Sequence, residues 1–347
     1  MIFIKTQILT NNSADLECAA QLIRQGELVA FPTETVYGLG ANALDATAVQ
    51  KIFAAKGRPA DNPLIIHIAQ VADYRRFARE INPKAQALID NFCPGPLTLV
   101  LPKASGLPDN VTAGLDSVAI RMPSLKVAQQ LIELAGVPIA APSANTSGRP
   151  SPTCGTDVLE DLQNKIAAII MADSIAIGLE STVVDCTTAQ PKLLRPGGIT
   201  LAMLEEIVGA VAVDASIQTF VAVATPKSPG MKYKHYAPQA KMAIWEELTN
   251  AEIIEFIRAN LAHKPEVGLL LSAEVAEKLG AVACQVQVWG KLSETEKLAA
   301  QLYAVLRQFD RAQVSEIYAQ GVPVTGLGLA IMNRMRKSAA FNIIKKI

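Results

Sequence analysis

Short apolar runs of strand length constrain this chain more than any other feature. Leu28-Val-Ala-Phe31 and the segments 64–68, 97–101, 118–122, 137–141, 168–171 and 181–185 are four or five residues long and rich in Val, Ile, Leu and Ala. Buried strands have that length and composition, whereas a helix needs ten or more residues to bury a face. Helical segments near 83–92, 125–135, 155–163 and 201–208 separate several of the runs. Near the start, Leu16, Ala19, Ala20 and Ile23 recur at helical spacing between Ser13, the predicted N-cap, and Gly26, a stop. Asp45 is the predicted cap of a second helix with Val49, Ile52 and Phe53 on one face, which Gly57 and Pro59 end. The pattern predicts a mixed α/β domain over residues 1–213.

Residues 214–240 break the pattern. Thr225-Pro-Lys-Ser-Pro-Gly-Met-Lys-Tyr-Lys-His-Tyr-Ala-Pro238 has the composition of a linker, yet Lys232, Tyr233, Lys234, His235 and Tyr236 are all able to meet a phosphate or a base. Over 241–347, strand-like 242–245 and 267–271 precede a helix with Leu298, Leu302, Leu306 and Phe309 in one stripe. Ser293 and Glu296 have the spacing of a capping box at its start. A smaller parallel α/β domain is predicted. Gly326-Leu-Gly328 precedes its last helix but lacks the third glycine of a dinucleotide fingerprint.

Half of the 347 residues are hydrophobic, enough for two moderate cores, and 32 Lys plus Arg balance 32 Asp plus Glu. The balance excludes the strongly basic surface of a general nucleic-acid or anionic-membrane binder. Cys18, Cys93, Cys154, Cys186 and Cys284 are odd in number, widely spaced and without a Cys-x-x-Cys pair, as in a reducing compartment. Met1-Ile-Phe-Ile-Lys5 is too short an apolar stretch for a signal peptide. No run approaches a membrane span, so a soluble, cytoplasmic protein is expected.

The chemistry-bearing residues gather where strands and helices end. Lys56-Gly-Arg58-Pro59 is answered by Ser143-Ala-Asn145, Gly148-Arg149-Pro150 and Leu193-Leu-Arg195-Pro-Gly-Gly198. Arginine offers a planar fork to phosphate or carboxylate and lysine a point charge, and neither is buried cheaply without an anion. Arg58, Arg149 and Arg195 each precede a proline, which holds the backbone extended and suggests one anion-binding cleft. Arg121 shares a strand face with Ser117 and Ala119, where two readings stand: a structural ion pair, or the partner of a substrate carboxylate. His67 interrupts an apolar run and reads as a satisfied core residue, with no second histidine or carboxylate cluster to suggest a metal. There is no Gly-x-x-x-x-Gly-Lys-Ser/Thr loop, no serine elbow and no Cys-His pair.

Taken together, Phe31-Pro-Thr-Glu-Thr-Val-Tyr-Gly38, Lys56-Gly-Arg-Pro-Ala-Asp-Asn-Pro-Leu-Ile-Ile-His67, Ser117-Val-Ala-Ile-Arg121, Ala141-Pro-Ser-Ala-Asn145, Gly178-Leu-Glu-Ser-Thr-Val-Val-Asp185, Leu194-Arg-Pro-Gly-Gly198 and Ser228-Pro-Gly-Met-Lys-Tyr-Lys-His-Tyr-Ala-Pro238 resemble the YrdC-like family, specifically its two-domain threonylcarbamoyl-AMP synthases. The resemblance implies a twisted open mixed sheet with flanking helices, a linker acting as a lid over the active site, and a Rossmann-like C-terminal domain. It also implies synthesis of threonylcarbamoyl-AMP and pyrophosphate from L-threonine, bicarbonate and ATP, with Mg accompanying ATP and no tightly bound organic cofactor. Thr35, His67, Arg121, Ala141 and Ser181 would line the threonine site. Arg58, Asn62, Ser117, Ser143, Ser151 and Arg195 would hold ATP, with Lys56 and Asn145 close to the phosphates and Tyr233 or Tyr236 closing over the nucleotide. Lys56, Arg58, Ser143 and Asn145 would carry the catalytic step. A downstream tRNA threonylcarbamoyl transferase complex would consume the product. The alternative is an RNA-binding translation or tRNA maturation factor, whose affinity would fall steeply with salt.

Overall fold

The computed structural model describes residues 5–172, 175–219, 227 and 236–345. They fall into two compact units: Met1–Ser147 with Ser151–Tyr233, and Gly148–Pro150 with Lys234–Ile347.

The strands of the first unit are β1 (Gln7–Leu9), β2 (Val29–Phe31), β3 (Gly38–Asn42), β4 (Ile65–His67), β5 (Leu97–Pro102), β6 (Ser117–Arg121), β7 (Ile139–Ala140), β8 (Ala168–Ile170), β9 (Thr182–Asp185), β10 (Lys192–Arg195) and β11 (Ala212–Val213). They form one mixed sheet in the order β1-β8-β2-β3-β7-β4-β6-β5-β9-β10-β11. The predicted segments are therefore strands, mostly shorter than their apolar runs. β1, β3, β10 and β11 are not among the predicted segments, and in β3 the cause is that Gly38 and Gly40 dilute the apolar run. Gly40 is required there: a Cβ would lie 2.8 Å from Ile139 Cγ2 and 2.9 Å from Phe31 Cε1, so only glycine lets these chains approach.

The helix Ser13–Arg24 buries Leu16, Ala19, Ala20 and Ile23 as predicted. They pack with Leu131, Ile132 and Ala135 over Val29, Phe31, Ile139 and Ile170. Each Leu or Ile so buried contributes about 1.5–3 kcal/mol. Its cap is Asn12 rather than Ser13: the Asn12 side-chain oxygen accepts the Asp15 N–H at 2.9 Å. Asp45 does cap the helix Ala46–Lys56, accepting from Thr47 and Ala48, and Gly57 closes it at φ 62° in the left-handed region.

The second unit contains β12 (Lys241–Trp245), β13 (Val267–Leu271), β14 (Gln285–Val288), β15 (Glu316–Gln320) and β16 (Ile343–Ile344), ordered β14-β13-β15-β12-β16. Every pairing in it is parallel. Trp245, Leu269, Leu271, Ile253, Ile257 and Val275 fill one side of that sheet. Gly328 has a packing cause, since a Cβ would fall 1.9 Å from the Pro323 carbonyl oxygen. Tyr236 belongs to this unit. Its ring stacks on Tyr303 with centroids 5.5 Å apart, and the Arg334 guanidinium lies 5.5 Å from its centroid. Arg307 Nη2 donates to the Pro150 carbonyl at 2.7 Å, which fixes the short 148–150 segment within the unit.

The capping box predicted at Ser293 does not form. That helix spans Thr295–Arg311, and Glu294 instead accepts the Lys291 N–H at 3.1 Å. The capping box of the unit is Thr249 with Glu252, at the start of the helix Asn250–Asn260. Both tryptophans of the chain, Trp245 and Trp289, lie in this unit, so tryptophan fluorescence reports its unfolding. Thr249→Ala is expected to lower its stability in urea by about 1 kcal/mol, and Ser293→Ala to leave it unchanged.

Candidate functional site

Sheet register builds the first half of the site. His67, the last residue of β4, pairs across with Arg121 of β6, and Arg121 pairs with Thr98 of β5. Residues directly opposite one another share a face, so the imidazole, the guanidinium and the Thr98 hydroxyl stand in one row. The Ser181 hydroxyl, just before β9, extends the row at 2.7 Å from Thr98 Oγ1. Arg195 from β10 then donates to the Ser181 carbonyl through Nε at 3.0 Å and to its hydroxyl through Nη2 at 3.1 Å. Gly197 allows this turn, because a Cβ would lie 2.4 Å from Thr182 N and 2.7 Å from the Glu180 carbonyl.

The loop between β2 and β3 covers the row from the other side. Arg121 Nη1 donates to Thr35 Oγ1 at 2.8 Å, and Thr35 and Thr33 hydroxyls are 2.7 Å apart. Thr33 donates to the Val36 carbonyl, which leaves Thr35 as the donor of that pair. Arg121 Nη2 stands 2.8 Å from Glu34 Oε1. Burial raises the Glu34 carboxyl, but the Arg121 charge beside it more than offsets that and holds it below the usual carboxylate range. His67 is also pushed down, to about 3, but chiefly by burial, with Arg121 adding to the shift and Glu34 opposing it. The imidazole is therefore neutral at ordinary pH, and its Nδ1 has no hydrogen-bond partner.

Lys56 organises the second half. Its ammonium is buried and donates to the carbonyls of Ser143 and Asn145, each at 2.5 Å, with Asn145 Oδ1 at 3.3 Å. The Ser147 N–H donates back to the Lys56 carbonyl at 2.8 Å. Ser143 Oγ donates to Asn145 Oδ1 at 2.5 Å. Residues 87 and 89 positions apart are thus knitted into one loop. β3 holds the loop in place: Leu39 N–H donates to the Pro142 carbonyl, and Ala144 N–H to that of Tyr37. Ala141 N–H donates to the Ile65 carbonyl, which ties the loop to β4.

Of the other expected nucleotide contacts, Arg58 Nη2 is within 3.3 Å of the Asn62 and Pro63 carbonyls, and the Asn62 side chain is buried with neither polar atom bonded within the protein. Ser117 opens β6 and is half-buried. Ser151 is buried and donates to Glu180 Oε1 at 2.6 Å. Tyr233 lies outside the described residues. Sequence reasoning passed over Glu34, Thr98 and Glu180. Glu34 and Glu180 stood inside quoted motifs, and a carboxylate within such a motif was the available signal. Thr98 had none, because a threonine in an apolar strand looks like any β-former.

This fold and site place the chain in a defined class. A family model described as "Telomere recombination", covering the Sua5, YciO and YrdC proteins, matches residues 21–197, and the chain belongs to that family. A second model, "Threonylcarbamoyl-AMP synthase, C-terminal domain", matches residues 199–340. Two relatives, each called threonylcarbamoyl-AMP synthase, are similar over nearly their full lengths. The Pyrococcus abyssi protein is 47% identical, with 95% of each chain covered. The Bacillus subtilis protein is 46% identical, covering 98% of this chain and 97% of its own. The crystal structure of P. abyssi Sua5 complexed with L-threonine superposes with a TM-score of 0.89 at 45% identity, covering 99% of both chains.

The displaced His67 makes stability depend on pH. In the unfolded chain its pKa is near 6.5, and in the folded protein about 3. Between those values only the unfolded chain takes up the proton, so stability is lost as pH falls below about 6.5, by up to about 1.4 kcal/mol per unit. Chemical unfolding between pH 7 and 4 is expected to show a shallower loss for His67→Gln than for the unaltered protein. Parallel curves would mean that His67 protonates as easily folded as unfolded.

Proposed function

We propose that this chain condenses L-threonine, bicarbonate and ATP into threonylcarbamoyl-AMP and pyrophosphate. The observation that carries this reading is the full-length likeness, at 46–47% identity, to two threonylcarbamoyl-AMP synthases. The threonine-bound P. abyssi structure supports threonine as the amino acid.

The chemistry asks for positioning and charge more than for a nucleophile of the protein. One proton lost from the threonine ammonium is consumed as bicarbonate breaks a C–O bond to give CO2 and water; the free amine then bonds to the CO2 carbon and releases a second proton to solvent, leaving a carbamate. A carbamate oxygen then attacks the α-phosphorus as the bond to the leaving pyrophosphate breaks. Two anions must be brought together, so the site has to neutralise charge and hold the reactants in line. We assign the threonine carboxylate to Arg121 and Ser181, in a pocket bounded by Thr35, His67 and Ala141. A neutral, desolvated His67 suits that wall, since it adds no charge to compete with Arg121.

We assign ATP to Arg58, Asn62, Ser117, Ser143, Ser151 and Arg195, with Asn145 completing the loop. Lys56 serves the phosphates by holding that loop closed and lending it positive charge from behind. Ser151 would exchange its bond to Glu180 for one to the nucleotide. Tyr233 or Tyr236 would close over the nucleotide, Tyr236 by leaving its stack on Tyr303. Among the described residues no group of three or more His, Cys, Asp or Glu gathers as a metal site. Magnesium would enter as the companion of ATP and supply charge neutralisation at its phosphates, a role that suits that ion.

The product is a mixed anhydride, activated for transfer of its carbamoyl group. Its consumer would be a transferase complex acting on adenosine in tRNA, in the cytoplasm. No helix among the described residues is long and apolar enough to cross a membrane. The RNA-binding alternative is disfavoured by a net charge of zero.

Incubation with Mg, α-labelled ATP, L-threonine and bicarbonate tests the assignment. Labelled threonylcarbamoyl-AMP and pyrophosphate are expected in equal amounts, and only with all substrates present. Nucleotide turnover that ignores threonine, or none from a folded protein that binds ATP, would overturn it.

A further inference from the structure

The Arg121–Glu34 pair is not built like a structural ion pair. In the second unit, Arg336 and Glu246 show what such a pair looks like: two aligned bonds of 2.8 and 2.9 Å, fork to fork. Arg121 and Glu34 are as close, 2.8 Å, and as buried. Yet Arg121 Nη2 and both Glu34 oxygens lack a well-aligned hydrogen bond, although the Arg121 side chain and the amides of Glu34 and Ser124 lie close enough to help hold the carboxylate ionised. Buried carboxylates ordinarily accept bonds that fill their lone pairs, and leaving them unfilled is costly. Close charges, poor mutual alignment and spare capacity on both partners describe a pair arranged around something else.

A molecule that complements both members carries a carboxylate and an ammonium on one carbon. We propose that Glu34 is the second half of a zwitterion clamp, in which Arg121 and Ser181 take the carboxylate of the amino acid while Glu34 accepts N–H bonds from its α-ammonium. Glu34 is then the specificity-determining residue that selects an α-amino acid over the corresponding hydroxy acid. This rests on the reading of the His67–Arg121–Ser181 row as the threonine site.

The assignment differs from general-base catalysis. A carboxylate held ionised by an adjacent guanidinium is a poor acceptor for a whole proton, but a good acceptor of charge-assisted hydrogen bonds. Once the amine has become a carbamate, its remaining N–H still donates to Glu34. Like charge meanwhile turns the new carbamate oxygens away from Glu34. One side chain thus reads the amine before the reaction and sets the direction of the carbamate after it.

Calorimetric titration of the full chain, with a non-hydrolysable ATP analogue present, tests the clamp. The two ligands are L-threonine and 3-hydroxybutyrate, which is threonine without its amino group. The unaltered protein is expected to bind threonine at least tenfold more tightly, because the hydroxy acid leaves Glu34 desolvated and unpaired. Glu34→Gln should bring the ratio of the two affinities close to one, mainly by weakening threonine, and Glu34→Asp should restore part of it. ATP affinity should not change. An equal loss for both ligands in Glu34→Gln, or an unchanged ratio, would reduce Glu34 to a support for Arg121 and overturn the clamp. Failure of the unaltered protein to bind threonine would overturn the threonine reading itself, before any substitution is made, and the clamp with it.

Discussion

The site depends on one buried ammonium. Moving Lys56 out of water costs several kcal/mol unless it is fully solvated by protein. The carbonyls of Ser143 and Asn145 and the side chain of Asn145 supply that solvation. The cost is thereby converted into structure. The end of the helix Ala46–Lys56 and the loop after β7 cannot separate without stranding the charge, so the loop is shaped in advance. Preorganised polar groups are worth more to a charged transition state than groups that must be drawn together during the reaction.

The mixed sheet explains why such distant residues meet. Parallel and antiparallel pairings bring the ends of β4, β5 and β6 into one row. β2 and β3 turn back over it, carrying Thr33, Glu34 and Thr35. Charges of opposite sign are deliberately close there. Arg121 holds Glu34 ionised, and burial beside Arg121 keeps His67 neutral. In the proposed function this row holds the amino acid and the loop closed by Lys56 holds ATP, the pairing that adenylate formation needs.

Much of this was legible in the sequence. The α/β class, the apolar stripes and the Asp45 cap followed from local pattern, because local pattern is what determines them. Misreadings were local too. Asn12 outcompetes Ser13 for a cap because either side chain suits the position, and β3 hides behind glycines that close packing demands. The set of charged residues was also visible, since the motifs name them. Their partners were not. That Lys56 would be met by carbonyls nearly ninety residues away, or that Glu34 would stand by Arg121 out of alignment, is decided by register between strands, which no run of sequence displays.

Hydrogen exchange tests the role given to Lys56 most directly. In Lys56→Met the amides of 143–147, which include the Ala144, Thr146 and Ser147 donors, should exchange at least tenfold faster without ligand, while β2 and the helix Ser13–Arg24 stay protected. Loss of ATP turnover should accompany the opened loop. Lost turnover with unchanged protection of 143–147 would contradict the account, because Lys56 would then act on the phosphates directly and not by holding the loop.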